Sequence, residues 1–148
     1  MKKISYTNIQ NQWIDEKKEI LRIIESVFKK AQFVNEEEVK VFEKNVAKVC
    51  GVKYAIGLNS GTDALTLGLK LIGVKKGDEV ITPPNSFISS TSSIVHVGAR
   101  PVFVDVGDDQ NINPNLIEKS ITKKTKAIMV VHLTGRMANM EEIGKIAN

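Results

Sequence analysis

Ser60-Gly61-Thr62 is the stretch best placed to do chemistry. The residues before it, Tyr54–Leu58, are small and apolar and read as a short strand; those after it, Ala64–Ile72, are leucine-rich and read as a helix. A strand that turns sharply into a helix presents unpaired N–H groups and the positive end of the helix dipole at the turn, which together favour an anion. Gly61 lets the backbone approach that anion, and the Ser60 and Thr62 hydroxyls can add hydrogen bonds, so the turn reads as a phosphate cradle. A Ser or Thr cap on an ordinary strand-to-helix turn has the same composition. Two later segments favour the cradle: Phe87 follows a stiff Pro83-Pro84 turn, and His132 stands just ahead of Gly135. Phe87 could equally pack in a core, and His132 could be a satisfied histidine at a strand end. A phosphate site with an aromatic ring beside it suits a planar phosphorylated cofactor.

The surrounding elements decide whether these three loops can meet. Helical stripes run over Ile14–Lys30 (Ile20, Leu21, Ile24, Val27, Phe28) and Glu36–Cys50 (Val39, Phe42, Val46, Val49), the second with Asn35 as cap and Gly51 as stop. From Tyr54 onward, short apolar strands alternate with helices. Strands are expected at Glu79–Thr82, Pro101–Val106 and Ala127–Leu133, and helices at Phe87–Val97, from Asn113-Pro114 to Ile121, and at Met140–Ala147 capped by Asn139. Alternation of this kind predicts an α/β fold, a mainly parallel sheet with helices on both faces. In such sheets ligands bind at the carboxyl ends of the strands, where Asn59–Asp63, Pro83–Phe87 and His132–Gly135 all emerge. The division expected is a helical segment over 1–53 and a ligand-binding portion over 54–148. No strand follows the last helix, so the sequence is expected to be the front part of a longer protein.

With 42% hydrophobic and 26% charged residues among 148, the chain has the make-up of a water-soluble globular domain. Its net charge of +4 comes from lysine pairs dispersed among acids, which points away from nucleic acid and mildly toward an anionic small substrate. The single cysteine, Cys50, forms no internal disulfide, fits a reducing compartment and reads as a buried small residue at a helix end. No long apolar run or signal peptide is present, so no membrane contact is expected and the cytoplasm is the expected location. Metal-ligand spacings, a G-x-S-x-G elbow, a Walker A loop and the dinucleotide fingerprint are all missing, the last weakening a nicotinamide oxidoreductase. His96, between two valines, reads as structural, and Asp105 as an acceptor at a strand end.

Gly51-Val52-Lys53-Tyr54-Ala55, Asn59-Ser60-Gly61-Thr62-Asp63-Ala64-Leu65, Gly77-Asp78-Glu79-Val80-Ile81, Gly98-Ala99-Arg100-Pro101-Val102-Phe103-Val104-Asp105 and Val131-His132-Leu133-Thr134-Gly135 resemble, in order and spacing, the N-terminal half of the DegT/DnrJ/EryC1/StrS family. So does Phe42-Glu43. The resemblance implies part of the large domain of a type I aminotransferase fold, a homodimer with shared active sites, and pyridoxal 5'-phosphate (PLP) as cofactor. It implies that Ser60, Gly61 and Thr62 bind the cofactor phosphate and that Phe87 stacks on its ring. His132 and, in the N-terminal segment, Tyr6 become candidates for substrate contact. Glu36 departs from the glycine common in the family. The resemblance places the Schiff-base Lys, and the Asp and Gln beside the cofactor, beyond Asn148, so no catalytic residue is expected in this chain and the chain alone is expected to be inactive.

The implied reaction transfers an amino group, with glutamate as donor, to a nucleotide-linked keto-sugar, for amino-sugar and surface-polysaccharide synthesis. Two alternatives stand beside it: a PLP-dependent sugar dehydratase of the same family with His in place of the Lys, and a non-catalytic fragment that binds only a partner chain.

Overall fold

The computed structural model describes residues 6–31, 33–34 and 37–148. Asn35 and Glu36, the expected cap and the expected departure at the second helix, lie outside the described residues. The chain forms two compact units, 1–57 and 58–148.

In the first unit, α1 spans Ile9–Lys30 and starts ahead of the expected Ile14. Ile9 and Trp13, one helical turn apart, extend the apolar stripe, so the helix begins with them. It ends at Ala31, in the left-handed region (φ 53), whose N–H bonds the Phe28 carbonyl. Helix α2 spans Glu37–Cys50, with Glu37 and Glu38 in its first turn and Lys48 in its last, the charge order that the helix dipole favours. It stops at Gly51, whose φ of +65 is open to glycine at no steric cost. The expected burial of Cys50 is not observed. Ala47 is the buried position of α2, and Cys50, where the chain turns away, is exposed.

The strand expected over Tyr54–Leu58 does not form. A strand exists only through a neighbour, and the sheet described does not include this segment. The Gly57 N–H donates instead to Glu43 Oε1 at 2.7 Å, and Tyr54 and Ile56 are exposed.

The second unit holds the sheet. Its elements are α3 (Gly61–Leu71), β1 (Glu79–Thr82), α4 (Ile88–His96), β2 (Arg100–Phe103), α5 (Pro114–Ile117) running into a 3-10 turn at Glu118–Ser120, β3 (Thr125–Ile128), a 3-10 turn at Leu133–Gly135, and α6 (Met140–Ala147). All strands are parallel and β1 is central. Both β2 and β3 are shorter than expected because Pro83-Pro84 ends the strand between them. Phe103 pairs with Thr82, the last residue of β1, while Met129 donates to the Ile81 carbonyl at 2.7 Å just past the end of β3. Proline then offers no N–H to continue either ladder. Val106 forms an isolated antiparallel bridge with Ile112.

All of β1 is buried, and its side chains alternate between two cores. Val80 joins Leu69 of α3, Val74, Ile94 of α4 and Ala99; Ile81 joins Val104, Ile112, Ile117 of α5, Ala138 and Ile143 of α6. Helices therefore cover both faces, as the alternation of elements predicts. The caps also form as read: Asn113 Oδ1 accepts the Asn115 N–H ahead of Pro114, and Asn139 Oδ1 accepts the Glu142 N–H. At the amino end of β1, Glu79 is buried, with Oε1 accepting from Arg100 Nη2 at 2.6 Å and Oε2 from Thr122 Oγ1 at 2.7 Å. These two bonds, Arg100 first, hold its carboxyl below the usual glutamate range. At the other end of the strand, the buried Thr82 hydroxyl has no hydrogen-bond partner among the described residues.

Candidate functional site

Three loops meet around one groove at the carboxyl end of the sheet, two of them leaving β1 and β3. The first enters α3, which begins at Gly61, ahead of the expected Ala64. Ser60 caps it: Ser60 Oγ accepts the Asp63 N–H at 3.1 Å and donates to Asp63 Oδ2 at 2.9 Å. This reciprocal pair turns the Asp63 carboxylate back onto the cap and occupies the Ser60 hydroxyl. The N–H groups of Gly61 and Thr62 remain without a partner among the described residues. The Thr62 hydroxyl meets Ser89 Oγ of α4 at 2.7 Å.

Gly61 has no positive φ, and a Cβ built on it would meet nothing within 4 Å. The fold itself therefore does not require glycine there. A side chain at 61 would extend only into the open space above the helix end, which is the room a ligand held by the two free amides would take.

The second loop carries Phe87 as the N-cap residue of α4; its carbonyl accepts the Ser90 N–H at 3.1 Å. The ring is 77% exposed, so core packing is not its role in this unit. The third loop carries His132. Its Nδ1 accepts the Ala138 N–H at 3.1 Å, and the following turn holds Thr134 at φ 53, an uncommon conformation for a β-branched residue. Gly61, Thr62, Phe87 and His132 all line one open groove of about 590 Å³, within the usual range for small-molecule sites. Ser60 stands next to it as the cap. Tyr6 belongs to the N-terminal unit and is fully exposed.

Other walls of the groove include Leu65, Ser86, Ser89, Ser90 and Thr134. The serines escaped the sequence reading, although a signal was present. Ser86, Ser89, Ser90 and Ser93 recur at helical spacing and give α4 one face of hydroxyls. Ser86 and Ser90 bond each other at 2.7 Å, and the buried Ser93 bonds the Ser90 carbonyl at 3.1 Å. No Lys, Arg, Asp or Glu lines the groove, so an anion would meet amides, hydroxyls, an imidazole and a helix dipole. Among the described residues no group of three His, Cys, Asp or Glu side chains could hold a metal ion, and no helix is long and apolar enough to cross a membrane.

A fourth connection, following β2, braces two of these loops. Asn111 is 1% exposed and bonds the turn after His132, while Gln110 (φ 67) accepts from Asn85 Nδ2 at 3.3 Å in the loop before Phe87. Asp109 accepts both the backbone N–H and the side-chain amide of Asn111, which keeps its carboxyl below the ordinary aspartate range.

Parallel strands, helices on both faces and a ligand-sized groove at the carboxyl edge put this unit among the α/β proteins that bind small molecules at that edge. The chain belongs to the DegT/DnrJ/EryC1/StrS aminotransferase family, which it matches over residues 14–148. It is 40% identical over 141 residues to a pleiotropic regulatory protein of Geobacillus stearothermophilus, covering 95% of this chain and 38% of the relative. It is 44% identical over 131 residues to the dTDP-3-amino-3,6-dideoxy-alpha-D-galactopyranose transaminase of Aneurinibacillus thermoaerophilus, covering 88% and 36%. Among solved structures, DesV of S. venezuelae in complex with a ketimine intermediate superposes with a TM-score of 0.93 at 32% identity, over 99% of this chain and 40% of that one. NtdA of Bacillus subtilis with bound cofactor PMP gives 0.88 at 37% identity, over 90% and 31%. The chain thus spans less than half the length of these relatives, and its fold is that of the corresponding part of a PLP-family aminotransferase.

Proposed function

We propose that this chain is part of a PLP-dependent aminotransferase that transfers an amino group, with glutamate as donor, to a nucleotide-linked keto-sugar, acting as a cytoplasmic homodimer in amino-sugar and polysaccharide synthesis. The observation that carries the reading is the start of α3. Two unpartnered amides, of Gly61 and Thr62, open into a groove walled by an exposed Phe87, in a chain akin to a sugar transaminase. When bound, PLP supplies an electron sink and carries the amino group between donor and acceptor.

The chain's own part is binding and orientation. The amides of Gly61 and Thr62 and the Thr62 hydroxyl would hold the phosphate, and Ser60 keeps them aimed by capping the helix. Phe87 offers its face to the ring, and His132 a ring nitrogen. Tyr6 stands as a substrate contact from the N-terminal segment. The residue bonded covalently to the cofactor is expected beyond Asn148, so 1–148 alone should be inactive. The 1–53 and 54–148 division assigns the cofactor to the second portion.

The test is to titrate the full-length protein with PLP, follow cofactor absorbance, and then supply glutamate with a nucleotide-linked keto-sugar. Stoichiometric uptake and an aminated sugar product support the reading. Failure to take up PLP, or uptake with release of water from the sugar and no amine, refutes it.

A further inference from the structure

We propose that Asn111 is a positioning residue that presents the His132 imidazole to the groove as an Nε2–H donor for the bound ligand. The inference rests on the cofactor reading above only for the identity of that ligand.

Asn111 is buried, and its side-chain amide is in use on both sides. Oδ1 accepts the Leu133 N–H at 2.9 Å, and Nδ2 donates to the Arg136 carbonyl at 3.3 Å and to Asp109 Oδ2 at 3.3 Å. The Asn111 N–H also donates to Asp109 Oδ1 at 3.1 Å. Its carboxamide therefore has a fixed orientation, and it grips the 3-10 turn Leu133–Gly135 at its first residue and at the residue just past it. That turn contains Thr134 at φ 53, a conformation that persists where its surroundings over-determine it. Asn111 supplies two of the bonds that do so.

Held in this way, the turn carries His132 at its entrance and Ala138 shortly after its exit. Ala138 is buried in the α5–α6 core, and its N–H donates to His132 Nδ1 at 3.1 Å. A ring nitrogen that accepts from an amide carries a lone pair, so the neutral imidazole has its proton on Nε2. No described residue bonds Nε2, and the exposed ring lines the groove with Gly61, Thr62 and Phe87. The result is a neutral donor fixed in tautomer and direction by the backbone of its own loop, with Asn111 anchoring that loop to the core. A ligand offering an oxygen acceptor is the class it suits.

The test uses the full-length protein labelled with 15N-histidine, the His132 signals being assigned by their loss in His132→Gln. In the parent, His132 should show a single Nε2–H tautomer, and adding PLP should shift its Nε2 signal. Asn111→Ala should give mixed tautomers and hold PLP about threefold to tenfold more weakly, the size of one neutral hydrogen bond. His132→Gln should weaken PLP by a similar factor, and the double variant should be no weaker than the weaker single one. A parent with Nδ1–H or mixed tautomers overturns the proposal, as does an Nε2 signal left unmoved in protein that has taken up PLP. So does an Asn111→Ala protein that melts earlier yet keeps the parent's tautomer and PLP affinity, since Asn111 is then structural only. Should Asn111→Ala fail to fold, Asn111→Ser is read in the same way, and the parent spectrum decides without any variant. A parent with the Nε2–H tautomer that takes up no PLP refutes the cofactor reading and upholds the clamp.

Discussion

The two ends of β1 differ in how their polar groups are satisfied. At the amino end, both oxygens of the buried Glu79 are bonded, to Arg100 and to Thr122. At the carboxyl end, the Gly61 and Thr62 amides have no partner among the described residues, Phe87 stands in the open, and Thr134 and Gln110 hold left-handed backbone. Polar groups at one end close on each other; at the other they are held apart by the loops beneath them. A buried network that is complete stabilises a fold, whereas donors left unpaired around a groove mark where something from outside completes them.

Substitutions should therefore sort by end, and the sharpest comes first. Gly61→Val should fill the space above the free amides and weaken PLP retention in the full-length protein by tenfold or more, since a charge-assisted hydrogen bond is worth about 1.5–3 kcal/mol. The unfolding midpoint should barely move, because a Cβ at 61 meets no protein atom within 4 Å. A PLP titration beside a thermal melt reads both; an unchanged affinity would place the phosphate elsewhere.

Phe87→Ala comes next, with an aromatic contact worth roughly 0.5–1.5 kcal/mol beyond its area and hence PLP held up to about tenfold more weakly. Its melt should also stay near the parent's, since the ring packs in no core.

Glu79→Gln should show the opposite pattern, with a lower melting temperature and PLP affinity unchanged. The dependence on pH has a definite sign. Its folded carboxyl lies below the ordinary value, so its contribution is full above the unfolded pKa, about 4.3, and fades as pH falls through the folded pKa. The gap in melting temperature between parent and Glu79→Gln should be constant at neutral pH and close on acidification below about pH 4. A gap that widens in acid would contradict the assignment.

The smallest effect is expected of Thr82→Val, which removes a buried hydroxyl without a partner. Chemical denaturation should show a gain of about 1 kcal/mol, with no change in PLP binding.

Local signals carried most of the fold into the sequence. Asn113-Pro114, Asn139 and Gly51 mark helix ends by chemistry that acts within a turn or two, and the structure places helix ends there. The alternation of short apolar strands with helices after Tyr54 gave the two-faced sheet, and the structure puts Val80 and Ile81 in the two cores it implies. What escaped depends on distant partners. Tyr54–Leu58 has the composition of a strand, but pairing decides, and its Gly57 amide goes to Glu43. The lengths of β2 and β3 are set by a proline pair on their shared neighbour, which neither sequence segment contains. In the candidate site, the three loops and Gly61, Thr62, Phe87 and His132 were legible from residue type. Ser89 and Asn111 were not, because a serine in a helix and an asparagine in a loop gain meaning only from what they touch.

The serine face of α4 has one more consequence, for the order in which the molecule assembles. Helix α4 has nine residues, four of them serines, and its hydroxyls bond neighbouring side chains and preceding carbonyls. Serine is a middling helix former that competes for backbone groups, and a helix of this length is marginal in water even with better residues. As a free segment α4 would be coil. It becomes helical by docking Ile94 beside Val80 of the central strand, so Ser89 and Phe87 reach their places only once β1 does. A chain in which α4 has not docked on β1 would offer the cofactor no groove. The small molecule would then act as a late arrival that locks the finished layer, adding about 2.7 kcal/mol at a hundred times its dissociation constant, rather than as a template on which the layer forms.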